Sequence, residues 1–358
     1  MSNDKALRLA DPVSALHAES VVVDLHNDLI LLVDHFDHRA RPDYFADFWL
    51  PELRAGGVDV QVLPICIEEQ FQSEGALRRT LLLVERIHEL AAQHPEVVVC
   101  LTGEDVANAK ATGKIALIIA LEGAHALGQD PELIGTMQRV GVRIASLAHL
   151  GRTHLADGSG LDDSSRGGLT PQGVEVLTEM ERTGIVFDIS HLGIAGVDDV
   201  LSRAKRPLLA THSACRAVTD IHRNLTNEQI KAVAQLGGVI GVAAAIPPFI
   251  DPTQPTVARV VDHIEHLASI ASIDVVALGP DFVDDYYNEV YGGWMIPNIE
   301  QTWPDSDIRR PSDLPKLTDE MTRRGFADGD IKKVLGANAL RVLDGVLGIP
   351  SVIHSPLA

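Results

Sequence analysis

Cysteine is scarce: Cys66, Cys100 and Cys215 are the only three in 358 residues, and no two have CxxC spacing. A disulfide framework and a zinc–thiolate site are therefore both disfavoured, which suits a reducing compartment. Basic residues are also in short supply, thirty Lys and Arg against fifty Asp and Glu, for a net charge of −20. Such a surface repels phosphate backbones and anionic lipid, so neither nucleic acid nor a membrane is an expected partner. No window approaches the roughly eighteen uninterrupted apolar residues of a membrane span. The start, Met1-Ser2-Asn3-Asp4-Lys5, lacks the basic-then-apolar pattern of a signal peptide, so the expected location is the cytoplasm. No G-x-G-x-x-G follows the first strand-like run, which argues against a doubly wound dinucleotide fold.

What the chain does have is a steady alternation of β-branched apolar runs and amphipathic stretches. The runs fall at 21–27, 58–66, 115–122, 142–149, 185–190, 207–211, 238–244 and 275–280. Helical patterns lie between them, among them Gly75–His94, Gly173–Thr183 and Asn227–Leu236. Thr170-Pro171 and Thr226-Asn227, each followed by an acidic residue, read as helix starts. Alternation of this kind implies a parallel sheet, and eight repeats predict an α/β fold of the (β/α)8 TIM-barrel type. Residues 1–358 then form one domain, with a rim insertion near 283–315.

In such a barrel the active site lies at the C-terminal ends of the strands. Buried parallel strands normally read as unbroken Val, Ile and Leu, so polar tips need a reason. Here the tips carry His26 and Asp28, Glu122, His149, Asp188 and His191, His212, and Asp281. One histidine at a tip is usually a hydrogen-bonded core residue, but several on the same rim point to a metal-centred site. His26, Asp28, Glu122, His191 and His212 are more ligands than one tetrahedral zinc with an open position needs. They suit two divalent ions roughly 3.5–4 Å apart, bridged by one carboxylate. Glu122 is the natural bridge, because its strand lies between those carrying the other ligands. The segment Asp34-His35-Phe36-Asp37-His38 could mimic a metal site but reads as a solvated turn. Arg152 could meet an anionic group, His154 and Asp157 read as polar loop residues, and Cys215 has no expected catalytic role. Most of the Tyr and Trp residues fall between Tyr286 and Trp303. That stretch is expected either to wall a substrate pocket or to pack as a self-contained loop or dimer contact, which leaves a homo-oligomer open.

The chain resembles the membrane (renal) dipeptidase family, metallopeptidase family M19 of the amidohydrolase superfamily. The resemblance runs from about Val22 to Leu343. It is carried by Asp24-Leu25-His26-Asn27-Asp28, Leu121-Glu122-Gly123, Leu147-Ala148-His149, Gly168-Leu169-Thr170-Pro171, Asp188-Ile189-Ser190-His191, Thr211-His212-Ser213, Arg223-Asn224 and Gly336-Ala337-Asn338. It implies two zinc ions, one on His26 and Asp28 and one on His191 and His212, with Glu122 between them. It also implies that His149 polarises the substrate, that Arg223 grips its terminal carboxylate and that Asp281 is the catalytic aspartate. The implied function is hydrolysis of small dipeptides with a free C-terminal carboxylate, D-configured C-terminal residues included. The alternative on the same scaffold is a metal-dependent amidohydrolase acting on N-acyl amino acids, lactams or esters. The family's Gly-x-Asp-Phe-Asp-Gly is replaced here by Gly279-Pro280-Asp281-Phe282-Val283-Asp284. No apolar C-terminal tail for a lipid anchor is evident, as in a soluble bacterial-type member.

Overall fold

The parallel sheet is built from strands β1 (Val22–Asp24), β2 (Val58–Cys66), β3 (Val97–Val99), β4 (Ile115–Glu122), β5 (Val142–Ala145), β6 (Val186–Phe187), β7 (Leu209–Ser213), β8 (Val239–Val242) and β9 (Val276–Leu278). The structure, a computed structural model, describes residues 12–37, 39, 43–67, 75–160, 167–291 and 304–347. Eight strands curl in the order β6-β5-β4-β2-β1-β9-β8-β7, and β3 lies off this path against the first half of β4. The two terminal strands meet at one parallel bridge, Asp188 with Leu209, where the Ile189 N–H donates to the Leu209 carbonyl at 2.8 Å. Among the described residues no helix is long and apolar enough to cross a membrane.

Alternation along β4 shows why both faces of the sheet are apolar. Ala116, Ile118 and Ala120 pack with Val23, Val60, Val62, Ile144, Val186, Leu209, Val239 and Ala277, one set of alternate residues drawn from each strand of the curl. Leu117, Ile119 and Leu121 join the larger cluster that the helices cover. A strand buried on both faces must read as a continuous apolar run, and this one does.

The structure alters several expectations in detail. β2 and β4 keep their expected bounds, but the runs at 21–27, 142–149 and 185–190 end early, at Asp24, Ala145 and Phe187. Their polar tips are loop, not strand. Asp34–Asp37 is not a turn but the end of helix Leu29–Asp37, and Asp34 there pairs with Arg79 at 2.8 Å; His38 lies outside the described residues. The aromatic stretch is described only through helix Asp284–Tyr291, and 292–303 lie outside the described residues. Thr226 caps its helix as expected, although the reciprocal partner is Gln229 and not the neighbouring Glu228.

One buried histidine ties the loop after β7 to the helix Val257–Ile270. His263 accepts the Cys215 N–H on Nδ1 at 3.1 Å, and its Nε2 donates to the Ile250 carbonyl at 3.0 Å. Protonating Nδ1 would turn that acceptor into a donor facing an N–H. Burial lowers the group from the ordinary 6.5 to about 4. The folded pKa lies below the unfolded one, so this stabilisation is complete above pH 6.5 and is lost as pH falls towards 4. The loss should reach about 3 kcal/mol. Urea denaturation at pH 7.5 and pH 4.5 should show that part of the acid sensitivity missing from His263→Asn; equal pH slopes in both proteins would contradict it.

Candidate metal centre and substrate cavity

The tips of the strands bring the predicted ligands to one place by local devices. His26 and Asp28 flank Asn27, and neither lies within a strand. The His26 N–H donates to Asp24 Oδ1 at 2.9 Å, and Asn27 Oδ1 accepts the Leu29 N–H at 3.0 Å, starting the next helix. The two side chains therefore converge through this turn and not through strand alternation. Glu122 is the last residue of β4. His191 follows β6 in the left-handed region at φ 64°, and Asp281 follows β9 at φ 67°. Left-handed backbone is costly for residues other than glycine and clusters at functional sites. The Asp281 N–H donates to the His26 carbonyl at 3.2 Å, which joins the β1 and β9 tips.

Among the described residues the side chains form four overlapping groups, two of which, His26–His212–Asp281 and Cys66–Glu122–His149, join the predicted ligands to Asp281, Cys66 and His149. His26, Asp28 and Glu122 form a third, and Glu122, His191 and His212 the fourth, each with its ligand atoms within 4.8 Å of one another. Glu122 Oε1 lies 3.2 Å from His26 Nε2, 3.2 Å from His191 Nε2 and 3.6 Å from His212 Nε2. All five residues are buried. Asp281 Oδ1 and Oδ2 reach within 4.0 Å of His26 and His212 Nε2 respectively.

The charges and the unsatisfied atoms fit divalent cations. Despite its contact with Glu122, His26 Nε2 has no hydrogen-bond partner, and neither has Asp28 Oδ1. Buried polar atoms without partners are expensive, and a cation satisfies both. Burial, and next the charge of Glu122, push Asp28 well above the usual carboxylate range. Burial would also raise Glu122, but His26 and His149 hold it well below that range. Burial would lower His26, yet Glu122, Asp28 and Asp281 raise it to about 10. Burial holds His191 and His212 well below the ordinary histidine range, with Arg223 adding to the effect on His191 and His26 to that on His212. Neutral imidazoles keep a lone pair for a metal.

A cavity of about 430 Å³ opens onto this cluster, bounded by Asp28, Glu122, His149, His191, Arg223 and Asp281, with apolar walls from residues such as Leu150, Ile246 and Phe249. His149 is held by burial below its ordinary value, and its Nδ1 lies 3.7 Å from Cys66 Sγ. Arg223 is buried and sits 5.1 Å above the Phe249 ring centroid. It donates to the His212 carbonyl at 2.8 Å and the Ser213 hydroxyl at 3.4 Å, while its Nε has no partner. Among the described residues it has no carboxylate within ion-pair distance. A buried guanidinium with an unsatisfied donor and no counter-ion is poised for an anion.

Other readings resolve plainly. Arg152 is paired through Nε and Nη2 with Asp157, a group that also accepts the Gly167 N–H, so it braces a loop outside the cavity. The Cys215 thiol is pushed by burial up to about 12 and has no place in the chemistry. Sequence reasoning assigned no role to Thr211, Asp188, Ser159 or Cys66. All four contact metal-site or cavity histidines or their partners, and the first two lie in quoted motifs next to histidines.

A model of the membrane dipeptidase family, peptidase family M19, matches residues 10–352. Dipeptidase verJ of Clonostachys rogersoniana is 30% identical over 281 residues, covering 78% of this chain and 67% of that protein. The crystal structure of a dipeptidase of family M19 has a TM-score of 0.78 at 25% identity, covering 92% of this chain and 99% of that one. A metallopeptidase from Rhodobacter sphaeroides, liganded with a phosphinate mimic of L-Ala-D-Ala, has a TM-score of 0.77 at 24% identity, covering 92% of this chain and 100% of that one.

Proposed function

The chain belongs to the membrane dipeptidase family, peptidase family M19, and on that premise we propose that it is a binuclear zinc dipeptidase cleaving small dipeptides with a free C-terminal carboxylate. The observation that carries this reading is the buried Arg223, its Nε without a partner, on the same cavity as the overlapping ligand groups. His26 and Asp28 would hold one ion and His191 and His212 the other, with Glu122 shared between the two groups. The same reading takes the curled sheet as a (β/α)8 barrel, supported by the Asp188–Leu209 bridge across its ends. When bound, the ions supply Lewis-acid activation of a water nucleophile and of the scissile carbonyl.

This chain's own groups do the rest. Arg223 clamps the substrate carboxylate and so fixes the scissile bond relative to Glu122. Asp281 accepts the proton from the attacking water and passes it to the amine nitrogen as the C–N bond breaks. His149 donates a hydrogen bond to the carbonyl oxygen as it gains charge, an interaction that strengthens only in the transition state. The dipeptide mimic on the Rhodobacter sphaeroides relative has a D-configured C-terminal residue, which is reason to include such dipeptides among the substrates.

Metal analysis and a dipeptide panel test the proposal. Two zinc ions per active chain and cleavage of free, but not C-terminally amidated, dipeptides are expected. Fewer than one zinc per active chain would overturn the binuclear reading, and hydrolysis of N-acyl amino acids without any dipeptide would favour the alternative amidohydrolase. Arg223→Met keeps the bulk and removes the fork. A charge-assisted pair contributes about 1.5–3 kcal/mol, so kcat/KM on free dipeptides should fall roughly 10- to 150-fold, mostly through KM. Zinc content should hold, and unchanged efficiency would mean another residue reads the carboxylate.

A further inference from the structure

One hydroxyl group stands behind both halves of the ligand cluster. Thr211 Oγ1 lies 3.3 Å from His26 Nδ1, 3.1 Å from His212 Nδ1 and 2.6 Å from Asp188 Oδ2. A hydroxyl has one proton to give and two lone pairs to accept with. The short contact to a carboxylate, which can only accept when ionised, assigns the proton to Asp188. Ser190 Oγ is a rival at 3.3 Å, but it lies within reach of the His212 carbonyl at 3.3 Å, where its own proton has an acceptor, and it accepts the His212 N–H at 3.2 Å. Both lone pairs of Thr211 are then left for the two imidazoles. Asp188 is itself fixed, because Oδ1 accepts the Ser190 and Thr211 N–H groups at 2.9 Å each.

We propose that Thr211, oriented by Asp188, is a positioning residue shared by the two metal sites: it holds His26 and His212 in the Nδ1–H form and so turns both Nε2 lone pairs towards the ions. The inference rests on the binuclear reading above. A histidine ligand whose other nitrogen donates to an oriented acceptor binds metal more tightly, and loss of that acceptor typically costs about 10- to 100-fold in affinity. What is particular here is that, in the binuclear reading, a single oxygen serves a ligand of each ion: His26 groups with Asp28 and Glu122, and His212 with Glu122 and His191, while both also meet at Asp281. His191 has a separate support, Ser159 Oγ at 3.3 Å from its Nδ1.

Cobalt(II) titration of metal-free protein, followed by its visible absorption, tests the assignment without reference to activity. The parent should take two equivalents. Thr211→Val, close in shape but without the hydroxyl, should weaken both binding steps by about 10- to 100-fold, and Thr211→Ser should restore both. Ser159→Ala should weaken one step only. Two parent-like steps in Thr211→Val, or weakening of one step alone, would overturn the proposal. A parent that takes up a single equivalent would overturn the binuclear reading instead. Should Thr211→Val fail to fold, nitrogen-15 histidine spectra of the zinc-loaded parent decide the matter: protons on Nδ1 of both His26 and His212 support it, and a proton on either Nε2 refutes it.

Discussion

Replacing Glu122 by Gln should all but abolish activity by emptying two sites at once. Its Oε1 faces three imidazole nitrogens within 3.6 Å, so the substitution removes the one carboxylate common to both groups. Gln keeps the shape but loses the charge, and its amide nitrogen presents protons to a metal. Zinc held by about four protein ligands binds with roughly 10–16 kcal/mol, or about 3 kcal/mol per ligand, so each site should weaken on the order of 100-fold. If both ions are required, kcat/KM in a metal-buffered assay should drop by about 10⁴, with partial recovery as free zinc is raised. Two tightly held zinc ions in the variant would show that Glu122 is not the bridge.

Asp281→Asn should lower kcat by about 10²- to 10⁴-fold, the usual contribution of a positioned proton carrier. Asparagine is the right probe because position 281 has φ 67°, a conformation Asn tolerates and most other residues resist. An effect on rate can then be separated from a backbone shift. Asp281 also stands 4.0 Å from His26 and His212 Nε2, so zinc content distinguishes its roles. Two retained ions with a large loss in kcat and little change in KM mark a proton carrier. Loss of one ion marks a ligand.

The fold was most legible in the sequence where burial is two-sided. β4 begins and ends where its apolar run does, because all eight residues are buried and nothing polar precedes Glu122; β2 keeps its bounds although Asp59 and Gln61 interrupt its run. The tips were read as strand because nothing in a residue's identity announces the sign of φ. At β6 the ladder stops at Phe187 and the Asp188 bridge, ahead of the left-handed turn at His191, while the sequence still looks extended. β3 escaped notice because its three residues, Val97–Val99, form a run too short to separate from a helix end. The candidate metal ligands stood out as polar residues on apolar runs. Thr211 did not, since its importance comes from a histidine 185 positions away in the chain, and only folding brings the two together. The apolar wall of the cavity was hidden for the same reason, with Leu150, Ile246 and Phe249 drawn from separate loops.

The seam between β6 and β7 gives the metal centre a second consequence. Every other neighbouring pair in the curl has at least two backbone pairings, but this one has the single Asp188–Leu209 bridge, completed by the side chains of Asp188 and Ser190. His191 and His212 project from opposite sides of that seam, their Nε2 atoms 2.7 Å apart. An ion gripped by both is a clasp, and by linkage it tightens the seam by as much free energy as a tight seam adds to its own retention. Metal scarcity would therefore be felt as loosened architecture as well as lost turnover, starting at this one edge.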